Sequence, residues 1–238
     1  MRNAWIIARR ELRSYFNSPV AYIVVTVFLL VVGWMYFSAV FIDGEASLRR
    51  FFQPSLFSPA FLLTIMIPAL TMRLVAEERK SGTIEMLSTL PIRDWEVVIG
   101  KFLAATLLIA IALGFTFFYP ISISTVGPLD WGPVIAGYLG MLLFSASLVA
   151  IGLLCSTLTD NQIVAFIIAF LVSSLLYFIY FLQPFVPAFA ALFEVLSISY
   201  HLEALARGVI DSRNVLYYLT LTGGALFLAE RSVARQHA

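Results

Sequence analysis

Apolar residues in this chain gather into long runs instead of alternating with polar ones. Six runs stand out: Val20–Ile42, Leu56–Met72, Phe102–Val126, Pro133–Thr157, Ile163–Leu182 and Val215–Ala229. None holds an Asp, Glu, Lys, Arg or His in its interior. A helix needs about 20 apolar residues to cross a bilayer. Over such lengths in hydrocarbon only a helix satisfies its own backbone groups, and barrel strands would alternate apolar with polar. The pattern therefore predicts an all-α membrane protein with six transmembrane helices in one domain, 1–238. The last run is the shortest and is flanked by Arg213 and Glu230.

Three polar segments interrupt the runs. In 1–19, helical spacing puts Trp5, Ala8, Leu12, Tyr15 and Phe16 on one arc and Arg2, Arg9, Arg10 and Arg13 on the other. This predicts an amphipathic helix in the membrane interface, its cations near lipid headgroups. Asn17-Ser18-Pro19 ends it. A plain positive-inside anchor would use the same arginines, and the two readings are compatible.

The second segment, 73–101, carries five of the chain's fourteen acids: Glu77, Glu78, Glu85, Asp94 and Glu96. The expectation is that the second span continues through Glu77 and Glu78 and stops at Gly82, which can take a left-handed conformation. Thr83–Thr89 would follow as a short helix with Glu85 in its first turn, broken by Pro91. An idle connection needs only about four to six residues, so this segment reads as a docking element; a merely solvated loop is the plainer alternative. The third segment, 183–214, is broken by Pro184, Pro187 and Gly208 yet rich in phenylalanine. It predicts short helices lying in or dipping into the outer interface. His201 sits here beside Glu203, a placement more often structural than metal-ligating.

Charge orients the spans. With six crossings, the termini, 73–101 and the Leu158–Asn161 turn share one side, which carries eleven of the fifteen Lys and Arg residues against four opposite. The positive-inside rule then puts both termini in the cytoplasm. The charge pattern calls for no nucleic-acid partner.

Composition agrees with a lipid environment: 61% of the 238 residues are hydrophobic and 12% charged, where a soluble domain has about 25% charged residues. Arg9 and Arg10 precede the first run as in a signal peptide, but that run is too long for one, so a retained span is expected. The single cysteine, Cys155, excludes an intramolecular disulfide and a cysteine-based zinc site.

No phosphate-binding loop is present: before Gly100-Lys101 the first glycine is replaced by Trp95, and Phe102 follows where a hydroxyl should be. No nucleophile elbow or His-Glu-x-x-His motif occurs. Nor do the spans carry the charged relay residues of ion-coupled carriers. No catalytic residue and no metal or cofactor site is expected on this chain. Any work it performs would draw energy from another chain through a contact on the polar side.

The stretch Glu77-Glu78-Arg79-Lys80-Ser81-Gly82-Thr83-Ile84-Glu85-Met86-Leu87, followed by Leu90-Pro91 and Gly100-Lys101, resembles the first cytoplasmic loop of ABC-2 type transporter permeases. Ala8-Arg9-Arg10-Glu11-Leu12, Asn17-Ser18-Pro19 and the segment from Tyr200-His201 to Arg207-Gly208-Val209-Ile210-Asp211 are similar to other parts of that family. The compact length most resembles its gliding-motility-type subgroup.

The resemblance implies a permease dimer, of identical or homologous subunits, in the inner membrane with two ATP-binding-cassette subunits. Those subunits would bind the ATP and magnesium. It implies a coupling helix near Thr83–Thr89, with Glu77, Glu78, Gly82, Thr83, Glu85, Met86 and Pro91 at the ATPase contact. Trp5, Arg9, Arg10, Leu12 and Arg13 would form the interfacial connecting helix, and 183–214 external re-entrant helices. Spans one, two and five would line the dimer interface and any path. On span five, Phe166, Phe170 and Tyr177 are candidates for an aromatic path, against plain lipid-facing packing. An anchor that uses the ATPase to act on an extracytoplasmic accessory protein, passing no substrate, is the rival reading. The short Asp43–Gln53 loop argues against capture of a bulky external substrate by this chain alone.

Overall fold

The computed structural model describes residues 2–43, 48–82, 93–125 and 129–235, and among them every regular element is a helix. The α-helices are α1 (Arg2–Asn17), α2 (Pro19–Asp43), α3 (Arg49–Phe52), α4 (Pro59–Thr71), α5 (Ala76–Lys80), α6 (Asp94–Thr116), α7 (Phe118–Ser124), α8 (Trp131–Thr157), α9 (Gln162–Phe178), α10 (Ala190–Leu196), α11 (Ile198–Ala206) and α12 (Ser212–Ala234), with short 3-10 helices at Ile179–Leu182 and Pro187–Phe189.

Five helical stretches are long and apolar enough to cross a membrane: Pro19–Ser38, Pro59–Lys80, Asp94–Ser124, Trp131–Thr157 and Gln162–Leu182. By composition a sixth would be the pair α10–α11, but it is folded by 74° at Ser197. The Ser197 side chain accepts the backbone N–H groups of Ser199 and Tyr200, capping the new helix at that corner. Packing assigns the sixth crossing to α12 instead. Although Asn214, Glu230 and Arg231 make it less apolar, it runs the length of α8. Gly208, just before it, abuts Pro133, Ser147 Oγ meets Thr222 Oγ1 at 3.0 Å, and Ser232 Oγ donates to the Thr157 carbonyl. A helix that tracks α8 from end to end crosses whatever α8 crosses.

Helix α8 is the centre of the bundle. Thr71 of α4 lies so close to Gly152 that a Cβ there would come within 2.0 Å of its hydroxyl. Phe52 packs on Gly137. On another side, Ala150 and Cys155 of α8 meet Ala169 of α9 and Ala225 of α12 in a small buried cluster. Small side chains let these backbones approach where no water-driven force exists between helices in lipid. On α9 the buried positions Ala165, Ala169, Ser173 and Tyr177 recur every fourth residue, a single stripe.

The contacts also sort the loops into two ends. Asn3 bonds Glu96, Lys101 bonds Glu78, Arg79 bonds Asp160, and Ser232 bonds Thr157. The N-terminus, α5, the start of α6, the α8–α9 turn and the end of α12 therefore share one end of the bundle. At the other end Arg49 donates to the Arg207 carbonyl and Tyr177 to the Ser55 carbonyl.

Two expectations change in detail. The second span does not run unbroken through Glu78: α4 stops at Thr71 and α5 restarts at Ala76. Ser156 of α8 stabilises the gap. Its hydroxyl donates to the Met72 carbonyl (2.9 Å) and accepts from the N–H groups of Val75 and Ala76 (both 3.1 Å). These are backbone groups that a broken helix would otherwise leave unsatisfied. The third span starts earlier than Phe102, at Asp94, and bends at Phe117 before Pro120.

Candidate functional site

Lys101 is the focus of the N-terminal end. Its side chain is 2% exposed, and its Nζ lies 2.6 Å from Glu78 Oε1 and 3.5 Å from Glu11 Oε1. A buried ammonium is costly unless paired. Here one cation on α6 is held by an acid from α5 and an acid from α1. Breaking such a pair by removing one partner costs far more than an exposed pair is worth. Glu11 also takes Arg10 at 3.0 Å.

Helix α1 is laid against α6 closely enough to reach this lysine because position 100 is glycine. A Cβ there would come within 2.7 Å of Ile7 and 2.9 Å of the Ala4 carbonyl. Asn3 then donates to Glu96 Oε2 at 3.0 Å. Helix α5 is pinned twice more, by the Ser156 bonds and by Arg79 to Asp160 at 3.1 Å. At Gly82 the backbone φ is +69°, the left-handed turn expected there. Elements on both sides of 83–92 are thus clamped to the bundle and to each other.

Beside the clamp, α1 and the α4–α5 junction enclose a cleft of about 620 Å³. Tyr15 forms part of its wall, 6% exposed, with the Arg73 guanidinium 5.9 Å from its ring centre. Burial, and next the Glu11 charge, raise the Tyr15 hydroxyl above its ordinary pKa, while Arg73 opposes them.

The structure distributes the sequence-derived residues unevenly. Glu78 is in the clamp; Glu77 is exposed and lines the cleft. Thr83, Glu85, Met86 and Pro91 lie outside the described residues. On α1 the face packed on the bundle differs from the apolar arc read for the membrane interface. Ala4, Ile7, Ala8 and Tyr15 are buried, Leu12 is half-buried, and Trp5 is 57% exposed on the same side as Ile6, Arg9 and Arg13. Trp5 is therefore not on the packed face: the small residues Ala4 and Ala8 are what fit against α6. Phe166 and Phe170 stack at 5.8 Å, half-buried on α9. Tyr177 belongs to the core of this chain: it is fully buried, and its hydroxyl pairs with Ser58 Oγ at 3.1 Å and donates to the Ser55 carbonyl. It does not present a surface to a path or a second chain.

Sequence reasoning missed Glu11 and Ser156 as functional residues. Glu11 was detectable, because it lies one helical turn from both Ile7 and Tyr15 and so falls on the packed arc. An acid there requires a cation opposite.

At the other end of the bundle a smaller cavity, about 410 Å³, lies among α10, α11, the start of α12 and Tyr180 just after α9. Glu203 receives both the Tyr180 hydroxyl and Arg207, and that partnership raises the Arg207 pKa. His201 stacks on Tyr217 at 3.9 Å and its Nδ1 pairs with Asn214 Oδ1 at 2.7 Å. Its visible role is to fasten α11 to α12.

Residues 43–202, more than half the chain, match the ABC-2 family transporter protein family. The chain belongs to the ABC-2 transporter family. A 119-residue stretch of this ABC-2 chain is also 34% identical to "Probable multidrug ABC transporter permease YbhR" of Escherichia coli strain K12, and equally to the protein of that name in Escherichia coli O157:H7. That stretch covers 50% of this ABC-2 chain and 31% of each relative. The family match runs from the last residue of α2 to the middle of α11, so α1, nearly all of α2 and α12 fall outside it. As an ABC-2 family member with these helices it is a multi-pass membrane protein.

Proposed function

We propose that this chain is the permease subunit of an ATP-binding-cassette exporter in the inner membrane. A separate ATPase chain, holding ATP and magnesium, would drive it. The end of the bundle that holds α1, α5 and both termini would face the cytoplasm, in keeping with its excess of Lys and Arg. The observation that carries the reading is the buried Lys101–Glu78–Glu11 clamp. It joins α1 to α5 and α6, the two helices between which the acid-bearing segment 83–92 lies in sequence, so that a push passed into either reaches three elements together. ATP would act by favouring one of two arrangements of the membrane helices. Glu85, Met86, Thr83 and Pro91 would make the ATPase contact; Glu78 would brace it from behind. The second permease would lie against α2 and α9, whose outward faces carry Trp34, Phe37, Ile167 and Leu171 exposed. The similarity to permeases named for multidrug transport favours a passed substrate over an anchor acting on an external accessory protein.

The test is purification of the full chain with its associated proteins from membranes, followed by ATPase measurement. One ATP-binding-cassette chain per permease is expected. Lys101→Met should uncouple the pair: the effect of the permease on the ATPase rate should fall about tenfold, and Lys101→Arg should restore part of it. Copurification without any ATPase, or an unchanged rate in a folded Lys101→Met complex, would overturn the proposal.

A further inference from the structure

The cleft beside Tyr15 leaves two of its charges unmatched. Three cations and three acids line it, so the whole is neutral. Lys101 is matched by Glu78, and Arg10 by Glu11. That leaves Arg73 and Glu77. Neither makes an ion pair among the described residues, with each other or with any other side chain. Arg73 is half-buried, where an unmatched cation is costly. Tyr15, beside Arg73 and 94% buried by its 6% exposure, holds a hydroxyl with no hydrogen-bond partner among the described residues. Buried polar atoms are almost always satisfied. The cleft therefore offers a place for one group that accepts hydrogen bonds and carries negative charge near Arg73 and Tyr15, and for one that carries positive charge near the exposed Glu77.

A single zwitterion meets both needs. The location says which kind. Ser18 at the cleft edge is followed at once by α2, and Arg73 lies two residues past the end of α4, so the cleft opens at the level where two spans leave the hydrocarbon. The first turns of α2, which follow Ser18, expose Tyr22 and Ile23, an apolar surface suited to acyl chains. We propose that the cleft binds one aminophospholipid, with the headgroup phosphate on Arg73 and the Tyr15 hydroxyl and the primary amine on Glu77. Charge-assisted hydrogen bonds of this sort are the strong ones. A headgroup held there would touch α1, the α4–α5 junction and the edge of the Lys101 clamp. The site does not depend on the transport reading, since it rests on the cleft alone.

Native mass spectrometry of the full chain in detergent, titrated with phosphatidylethanolamine, phosphatidylcholine or phosphatidylglycerol, tests it. One phosphatidylethanolamine per chain should bind at least about tenfold more tightly than either other lipid. Arg73→Gln should abolish that binding. Tyr15→Phe, which keeps the packing ring, should weaken it severalfold. Glu77→Gln should remove the preference over phosphatidylcholine while keeping a bound phosphate. Thermal unfolding of each variant separates loss of lipid from loss of fold, and Tyr15→Phe decides the matter should Arg73→Gln not fold. Equal binding of the three lipids would overturn the proposal, and so would wild-type binding by a folded Tyr15→Phe. Displacement of the lipid by soluble phosphoethanolamine or inorganic phosphate would overturn its lipid part, showing a site for a free phosphate.

Discussion

Helices α8 and α9 are neighbours in sequence, both apolar enough to span a membrane, yet 72% of the most apolar stretch of one is buried in the chain and only 22% of the other. Apolar content does not separate them. Small residues do. Helix α8 carries Gly137, Gly140, Ala150 and Gly152 on faces that α3, α4, α9, α11 and α12 approach, so it is surrounded. Helix α9 has one stripe of buried positions, Ala165 to Tyr177, and shows large side chains elsewhere. In lipid, where apolar side chains gain nothing by leaving the solvent, contact goes to the helix whose shape permits it.

This contrast can be broken on purpose. Gly152→Val puts a branched side chain into Thr71 and should cost the most, about 3 kcal/mol, measured by chemical unfolding in micelles. Ala169→Leu attacks the one packed stripe of α9 and should cost about 2 kcal/mol. Ser156→Ala removes the hydroxyl that serves three backbone groups at the α4–α5 break; about 1–2 kcal/mol is expected, with faster amide exchange at Val75 and Ala76. Ile167→Ala, on the outward face of α9, should change the stability of the isolated chain by less than about 0.5 kcal/mol. If Ile167→Ala instead disperses an oligomer in light scattering, a protein and not lipid covers that face.

The spans were legible because hydrocarbon imposes a simple requirement, a long run without charge, and Val20–Ile42 or Pro133–Thr157 meets it plainly. Gly82 was legible because few residues other than glycine accept its conformation. The break after Thr71 was harder to place: Pro68 weakens that helix, but the hydroxyl that satisfies the gap belongs to Ser156, more than eighty residues away. Which residues of α1 face the protein was hidden by the same limitation. Periodicity says which residues share an arc, but the close approach at Gly100 decides which arc is packed. Lys101 stood out as part of a motif, and its burial became visible only once α1 and α5 were folded over it. The terminal helix α12 looked marginal by composition and is secured by α8.

The parallel run of α4, α8 and α12 has an electrical consequence. Thr71 lies against Gly152, and Ser147 against Tyr218 and Thr222, so the three helices point the same way and their carboxyl ends meet at one end of the bundle. Each such end carries about half a negative charge from its aligned peptide dipoles. Three together would repel one another and any anion nearby. Arg73 and Arg79 follow α4, and Arg231 lies in the last turn of α12. These basic residues thus neutralise the potential that the chain's own helix directions create.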